Sequence, residues 1–211
     1  MKKSEKSEGR KKIKAANRQK NPLDAISENS ILKDPSPYVY ECCLFGHLHQ
    51  STLKWAFNLL SSNMEDFYKR SNWGWSSREK LAELKASNAW CLLVRKRTTF
   101  DEEFEGIEDD NENECVAFAH FRYDFDYGIP VLYCYEIHVI KEEQGRGIGQ
   151  KILSIIRLLA EEAGMVKVMA TIFNSNEGSL RFFKRFGFHE DETNPEESEK
   201  KDYVIVSIPV K

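Results

Sequence analysis

Apolar and polar positions change their period several times along the chain, and each change predicts an element. YVYECCLF (38–45) carries β-branched and aromatic residues between Pro37 and Gly46, which predicts a strand. From Ser51 to Arg70 the apolar positions Leu53, Ala56, Phe57, Leu60, Met64, Phe67 and Tyr68 follow helical spacing, with Ser51 as the expected N-cap. The pattern breaks at Gly74 and resumes as a helix near Ser76 or Ser77. NAWCLLVRK (88–96) and CVAFAHFRYDF (115–125) predict the two strands of a hairpin. Between them lies an acidic loop, Asp101 to Glu114, with nine carboxylates in fourteen residues, a solvated excursion by composition.

The second half alternates strands with helices. PVLYCYEIHVI (130–140) predicts a strand, and Ile148, Ile152, Ile155 and Leu159 define one apolar face of a following helix. VKVMATIF (166–173) is again a strand, so 130–140 and 166–173 are expected to pair in parallel across the helical crossover. Residues 176–185 predict a short helix with Phe182, Phe183 and Phe186 facing inward. GFHED and DYVIVSIPV close the chain as antiparallel strands. The expected class is α/β.

Length and composition narrow this picture. A chain of 211 residues, 41% hydrophobic and 31% charged, suits one sizeable core. Residues 1–36 read as a polar, basic extension ending at the breaker cluster Asp34-Pro35-Ser36-Pro37, and 37–211 as the domain. The opening residues have no apolar stretch after their basic ones, so no secretory signal is expected and the chain should stay inside the cell. Five cysteines without a C-x-x-C pair point to buried reduced thiols and to no metal site.

The net charge of −3 hides an asymmetry. Residues 1–20 carry nine Lys/Arg against two Glu, leaving 22 basic and 32 acidic residues in the rest. The basic tail suits a nuclear-localisation or nucleic-acid patch, or else a solvated, partly helical extension. The acidic body favours a cationic partner.

One segment asks for a chemical explanation. HVIKEEQGRGIGQKIL (138–153) places Gly145, Gly147 and Gly149 between a strand and a helix, although glycine costs a helix interior roughly 1 kcal/mol relative to alanine. Such a turn aims unpaired backbone N–H groups and the positive end of the helix dipole at one point, where an anion binds. The phosphate-loop motif G-x-x-x-x-G-K-[ST] is absent, and the spacing is not the dinucleotide fingerprint. What stands here is Gln144-x-x-Gly147-x-Gly149, which a tight turn without a ligand would also satisfy.

This Q/R-x-x-G-x-G/A spacing after a strand resembles the pyrophosphate signature of the Gcn5-related N-acetyltransferases (GNAT). Thr171 at the end of the next strand, and Asn176 ahead of FFKRFGF, follow in that family's order. WAFNLLSSNMEDFYKRSNWGW, VAFAHFRYDFD and VLYCYE are similar to segments of the NatD-type N-terminal acetyltransferases, over roughly residues 50–210. The resemblance implies a GNAT fold, with a mixed sheet, a splayed parallel strand pair and flanking helices. It also implies acetyl-CoA as co-substrate and, as acceptor, the N-terminal serine of histone 4 and histone 2A tails, which begin Ser-Gly-Arg-Gly.

Residue roles follow from the same resemblance. Ile137, His138 and Val139 would contribute backbone to the coenzyme, followed by Gln144, Gly145, Arg146, Gly147, Ile148, Gly149 and Gln150, with Thr171 and Asn176 further on. Arg146 would add charge near phosphate, or stand as a solvated loop arginine. Glu136 would be the general base, directly or through water; otherwise it is a structural salt-bridge partner. In an ideal strand Tyr133 and Tyr135 share one face and Glu136 the other. A bulge between strands 130–140 and 166–173 is expected to re-aim one of them.

Phe183 stands where many relatives have a tyrosine, which leaves Tyr135 or water to serve the departing thiolate. Asp124 and Asp126 match the family's acidic pair for the third-position arginine. Tyr68, Trp73, Tyr133, Tyr135 and Tyr203 match aromatic positions around the substrate terminus, with core packing as the alternative. No cysteine is an evident covalent carrier. The chain is expected to act as a monomer in the nucleus and cytoplasm, with its basic N-terminus as a ribosome contact. A lysine or small-amine acetyltransferase, and a non-catalytic chromatin or ribosome binding module, are the rival readings.

Overall fold

The computed structural model describes residues 3–33, 36–97 and 114–210, so most of the acidic loop lies outside the described residues. The elements in chain order are α1 (Lys3–Ala16), α2 (Ser30–Lys33), β1 (Tyr38–Leu44), α3 (Gln50–Arg70), α4 (Ser77–Leu84), β2 (Trp90–Lys96), β3 (Glu114–Asp126), β4 (Ile129–Val139), α5 (Ile148–Glu162), β5 (Lys167–Phe173), α6 (Glu177–Phe186), β6 (His189–Glu190) and β7 (Tyr203–Pro209). Seven strands form one sheet in the order β1-β2-β3-β4-β5-β7-β6. All neighbours are antiparallel except β4 and β5, the parallel pair joined through α5. The α/β class and the mixed sheet are as the alternation predicts.

Alternation along each strand feeds two cores. On β2, Leu92 and Val94 join a core with Ile148, Ile152, Ile155 and Leu159 of α5, while Cys91 and Leu93 join Leu53, Ala56 and Leu60 of α3 and Leu84 of α4. The five cysteines are free thiols. The N-cap of α3 lies two residues earlier than its pattern suggests. His49, not Ser51, is its N-cap, with the imidazole accepting from the Ser51 N–H. Ser76 caps α4 by accepting from the Glu79 N–H.

The basic N-terminal segment packs on the domain. Ala16, Leu23 and Ile26 are buried in the same core as α5. Gly9 lets α1 cross the sheet closely, since a Cβ there would lie 2.9 Å from the Phe125 ring. Asn17 bridges two strands, donating to the Tyr123 carbonyl at 3.4 Å and accepting from the Trp90 indole at 3.1 Å. The exposed face of α1 keeps Lys6, Arg10, Lys11 and Lys14 in solvent.

Two irregularities in β4 shape the middle of the sheet. Its pairing with β5 runs only from Val131–Lys167 to Cys134–Ala170, so Tyr135 to Val139 have no partner on that side. This is the splay that the fold class implies. On the other side, His120 pairs Glu136 but Phe121 pairs Cys134, leaving Tyr135 as an extra residue. The bulge therefore lies between β3 and β4, not between β4 and β5 as the sequence suggested. It flips the alternation, so that Cys134 faces the α5 core while Tyr135 and Glu136 both turn toward His120 on the opposite face.

Candidate active site

A cleft opens where β4 and β5 part. It is lined by Ile137, His138, Val139, Gln144, Gly145, Gly147, Ile148, Gly149, Gln150 and Asn176, which sequence reasoning placed together. Gly145 and Gly147 have φ of +77° and +83°, and a Cβ at either would meet nothing within 4 Å. Backbone conformation, rather than crowding, selects glycine at these two positions. Gly147 is the left-handed N-cap of α5 and no side chain caps that helix, so its first-turn N–H groups face the cleft unclaimed by a cap. Gly149 has a different reason, because its Cβ would sit 3.1 Å from the Phe182 ring. Its bareness seats α6 against α5.

Gln144 donates to the Val139 carbonyl at 3.1 Å and so ties the loop back to β4. Arg146 does not line the cleft. It is paired at 3.2 Å with Glu143, a buried carboxylate also held by the Tyr38 hydroxyl and by Lys96, each at 2.6 Å. Among the residues that the motif did not point to, Asn63 from α3, Glu143, and Arg181 and Arg185 from α6 line it as well. Their signal was invisible along the chain, since α3 and α6 meet here only through the fold. Asn176 has committed its side-chain oxygen to capping α6, accepting from the Ser179 N–H at 3.1 Å.

A second cavity adjoins the first and is lined by Tyr68, Trp73, Tyr135, Glu136, His138, Thr171, Phe173 and Phe183, among others. At its centre Glu136, 6% exposed, uses both oxygens: Oε1 accepts from Lys80 Nζ at 3.2 Å and Oε2 meets His138 Nε2 at 3.0 Å. Burial raises its pKa, but His138 and Lys80 more than offset this and bring the carboxyl down to about 2. The structure thus combines the bulge between β3 and β4 with ion pairs of Glu136 to Lys80 and His138. His138, expected to contribute backbone, also offers its side chain to this network, with Nδ1 3.2 Å from Asn63.

The ring of groups around Glu136 was not legible in the sequence. Lys80 also bonds Glu83 at 3.2 Å and lies 4.5 Å above the Tyr68 ring. His120 is fully buried and stacks on Tyr135 at 4.9 Å. Arg122 donates to His120 Nε2 at 3.2 Å and lies 4.6 Å over the Tyr135 ring. Burial first, and then the Arg122 charge, pushes His120 down to about 3, so it is neutral with its proton on Nδ1. Tyr135 is raised by burial and keeps its phenol proton at neutral pH.

The acceptor residues divide in two. Tyr68, Trp73 and Tyr203 form one aromatic cluster with Phe173, their rings meeting Trp73 or Phe173 at 5.0–6.2 Å. Trp73 is 51% exposed, which excludes plain core packing for it. Tyr133 borders the cavity through its hydroxyl, 2.5 Å from Thr171 Oγ1, and its ring lies 5.1 Å from Tyr135. Asp124 and Asp126 do not line the cavity. They continue the Tyr133 face along β3 and β4, where Asp124 pairs Val131 and Asp126 pairs Ile129. Asp124 accepts from the Phe125 N–H at 2.7 Å, while one oxygen of Asp126 is buried with no partner among the described residues. Burial raises the Asp126 carboxyl, with Lys167 opposing. Lys167 is itself bonded to Asp191 at 2.7 Å.

Comparison with known proteins agrees with this architecture. Residues 60–188 match the model of the Acetyltransferase (GNAT) family. Over 82 residues the chain is 32% identical to the protein named Probable spermine N(1)-acetyltransferase from Bacillus subtilis subsp. natto (strain BEST195), covering 36% of this chain and 54% of that protein. The chain thus spans about half the length of that curated relative. Among solved structures it is similar to Arabidopsis thaliana Naa50 in complex with a bisubstrate analogue, with 16% identity, TM-score 0.53, and 82% and 99% of the two chains covered. It is also similar to a GNAT family acetyltransferase from Elizabethkingia anophelis with acetyl-CoA bound, with 14% identity, TM-score 0.52, and 83% and 99% covered. At these identities the likeness is one of fold.

Proposed function

The chain belongs to the Acetyltransferase (GNAT) family, and from that premise we propose that it acetylates protein N-termini, its substrate being the α-amine of the N-terminal serine of histone 4 and histone 2A tails. One observation carries the reading. The glycine-lined cleft ends at a cavity walled by Tyr68, Trp73, Tyr135 and Glu136, and the sheet face beyond Tyr133 carries Asp124 and Asp126. A chain end lying over the aromatics could reach those carboxylates with an arginine at its third position.

The cleft suits acetyl-CoA on its own evidence. Gly145 and Gly147 leave open space in front of an uncapped helix N-terminus, the donor set that pyrophosphate needs, and Arg181 and Arg185 add positive charge. When bound, acetyl-CoA supplies a thioester acyl group and a thiolate leaving group. The unpaired edge of β4 at Ile137 to Val139 orients it, and Phe183 helps to exclude water.

Magnitudes decide what Glu136 does. An α-amine with pKa near 7.8 is about one-third neutral at pH 7.5, so shedding its proton costs under ~1 kcal/mol. His138 and Lys80 hold the Glu136 carboxyl well below the ordinary carboxylate range, which makes it a poor acceptor for a proton still held by a free ammonium. Glu136 therefore works later, receiving the proton through water once the nitrogen is committed to its new bond to carbon and has become far more acidic. Tyr135, protonated at neutral pH, is the donor to the departing thiolate. Under this reading the enzyme acts as a monomer in the nucleus and cytoplasm, and the basic face of α1 is its ribosome contact.

A second reading has its own observation: the spermine acetyltransferase relative, together with the carboxylates Asp124, Asp126, Asp191 and Glu192, favours a polyamine. One assay separates them. A Ser-Gly-Arg-Gly peptide with a free α-amine should be acetylated, and the same peptide blocked at that amine should not. Equal acetylation of both, or turnover of spermine alone, would overturn the N-terminal reading.

A further inference from the structure

Resting on that reading, the geometry points to Lys80 as a specificity-determining residue: it neutralises the acceptor cavity in advance, so that the cavity takes an uncharged amine and thereby prefers α-amines over lysine ε-amines. Lys80 does this through Glu136 and Tyr68 rather than by handling the acyl group, and so is a positioning residue.

The argument starts from what an arriving ammonium would find. A cationic amine is held by an unpaired carboxylate or by an open aromatic face. Each Glu136 oxygen already has a partner, Lys80 on Oε1 and His138 on Oε2. The Tyr68 face is taken by Lys80 at 4.5 Å and the Tyr135 face by Arg122 at 4.6 Å. The charged and titratable groups facing Glu136 come from every packed element: Tyr68 of α3, Lys80 and Glu83 of α4, His120 and Arg122 of β3, and Tyr135 and His138 of β4. Lys80 and Arg122 balance Glu136 and Glu83, and burial keeps His120 neutral. Around Glu136 the charges are already matched, whereas the outer strip at Asp126 has a buried carboxylate oxygen without a partner among the described residues.

A cavity that admits only neutral amines converts basicity into selectivity. At pH 7.5 about one-third of an α-amine of pKa near 7.8 is neutral, against roughly one part in a thousand of a lysine side chain near 10.4. Their ratio is about 200-fold before any contact with the rest of the peptide. The chemistry at the nitrogen is unchanged; only the entering form is chosen.

Two measurements test this on the full chain. In the first, kcat/KM is followed from pH 6 to 9 for a Ser-Gly-Arg-Gly peptide and for a lysine peptide blocked at its α-amine, with wild type, Lys80→Arg and Lys80→Met. Wild type and Lys80→Arg should favour the α-amine at least 100-fold, with rates rising through its titration. Lys80→Met should lose at least tenfold of that preference and flatten the profile, because Glu136 without its Lys80 partner would attract ammonium. A folded Lys80→Met protein, judged by its melting curve and coenzyme A binding, that keeps the wild-type preference and profile overturns the inference.

The second needs no variant and so survives a failure of Lys80→Met to fold. The Ser-Gly-Arg-Gly peptide is titrated calorimetrically into the wild-type chain with coenzyme A at pH 7.5, in buffers of different ionisation heat. Release of about two-thirds of a proton per peptide is expected if the ammonium must first be discharged, and binding without release overturns the inference. Failure of wild type to acetylate the free-amine peptide would overturn the N-terminal reading itself, a result distinct from either.

Discussion

The glycine cleft and the acceptor cavity share strand β4, yet they are built by opposite means. The cleft is centred on a local device: Gly145 and Gly147 adopt left-handed φ, α5 starts uncapped, and this turn occupies a few consecutive residues. The cavity is assembled from distance. Lys80 and Glu136 are 56 residues apart, Tyr133 and Thr171 38 apart, and Tyr68, Trp73, Phe173 and Tyr203 come from three places in the chain. The difference teaches that donor binding can be encoded in a short motif, because backbone conformation is local. The surroundings of Glu136 depend instead on charges brought together by packing.

Breaking the cavity should have the largest effect. Glu136→Gln is expected to lower kcat by 10²–10⁴-fold while the Kd for coenzyme A stays within twofold, the span that a positioned proton acceptor supplies. Next, Asp126→Asn should raise KM for the Ser-Gly-Arg-Gly peptide about tenfold or more with kcat little changed, consistent with ~1.5–3 kcal/mol for a hydrogen bond to a charged group. A peptide with alanine at its third position should lose sensitivity to that substitution. If Asp126→Asn is silent with the arginine peptide, the acidic strip does not read the third residue.

Breaking the cleft should act on the other substrate. Gly147→Ala puts a side chain at φ +83°, costing ~1–2 kcal/mol, and should weaken coenzyme A binding about tenfold with peptide KM unchanged. Gly149→Ala should be relieved by Phe182→Leu, whereas Gly147→Ala should not, because only Gly149 is bare for a packing neighbour. Equal rescue of both would erase that distinction.

The smallest effect sharpens the comparison through pH. Neutral in the fold near a pKa of about 3, His120 binds no proton where the unfolded residue does, below about 6.5. Its contribution to stability is therefore complete above pH 6.5 and declines as pH falls toward 3, by up to ~1.4 kcal/mol per unit. Denaturant titrations across this window should show His120→Gln removing about one proton's worth of slope. The Glu136 carboxyl acts lower, its stabilisation present above the ordinary carboxylate range and lost as pH falls toward 2.

Period alone was enough to read the strands, the crossover helix and the parallel pair, since strand and helix spacing are consequences of backbone geometry. Gly145 and Gly147 were equally legible, because few other residues tolerate left-handed φ. The bulge was anticipated but misplaced: β4 contains an extra residue, yet only strand pairing reveals whether Tyr135 is extra toward β3 or toward β5. Arg146 could be read along the chain as a phosphate ligand or as a solvated arginine, and only the fold reveals its ion pair with the buried Glu143. Lys80, a polar residue on an amphipathic helix, carried no mark of its destiny beside Glu136. Sequence by itself determined the elements, the class and the left-handed glycine turn ahead of α5, all set by neighbours along the chain. The tertiary structure alone decided which charges meet around Glu136, because electrostatic balance depends on distances through space that no local pattern records.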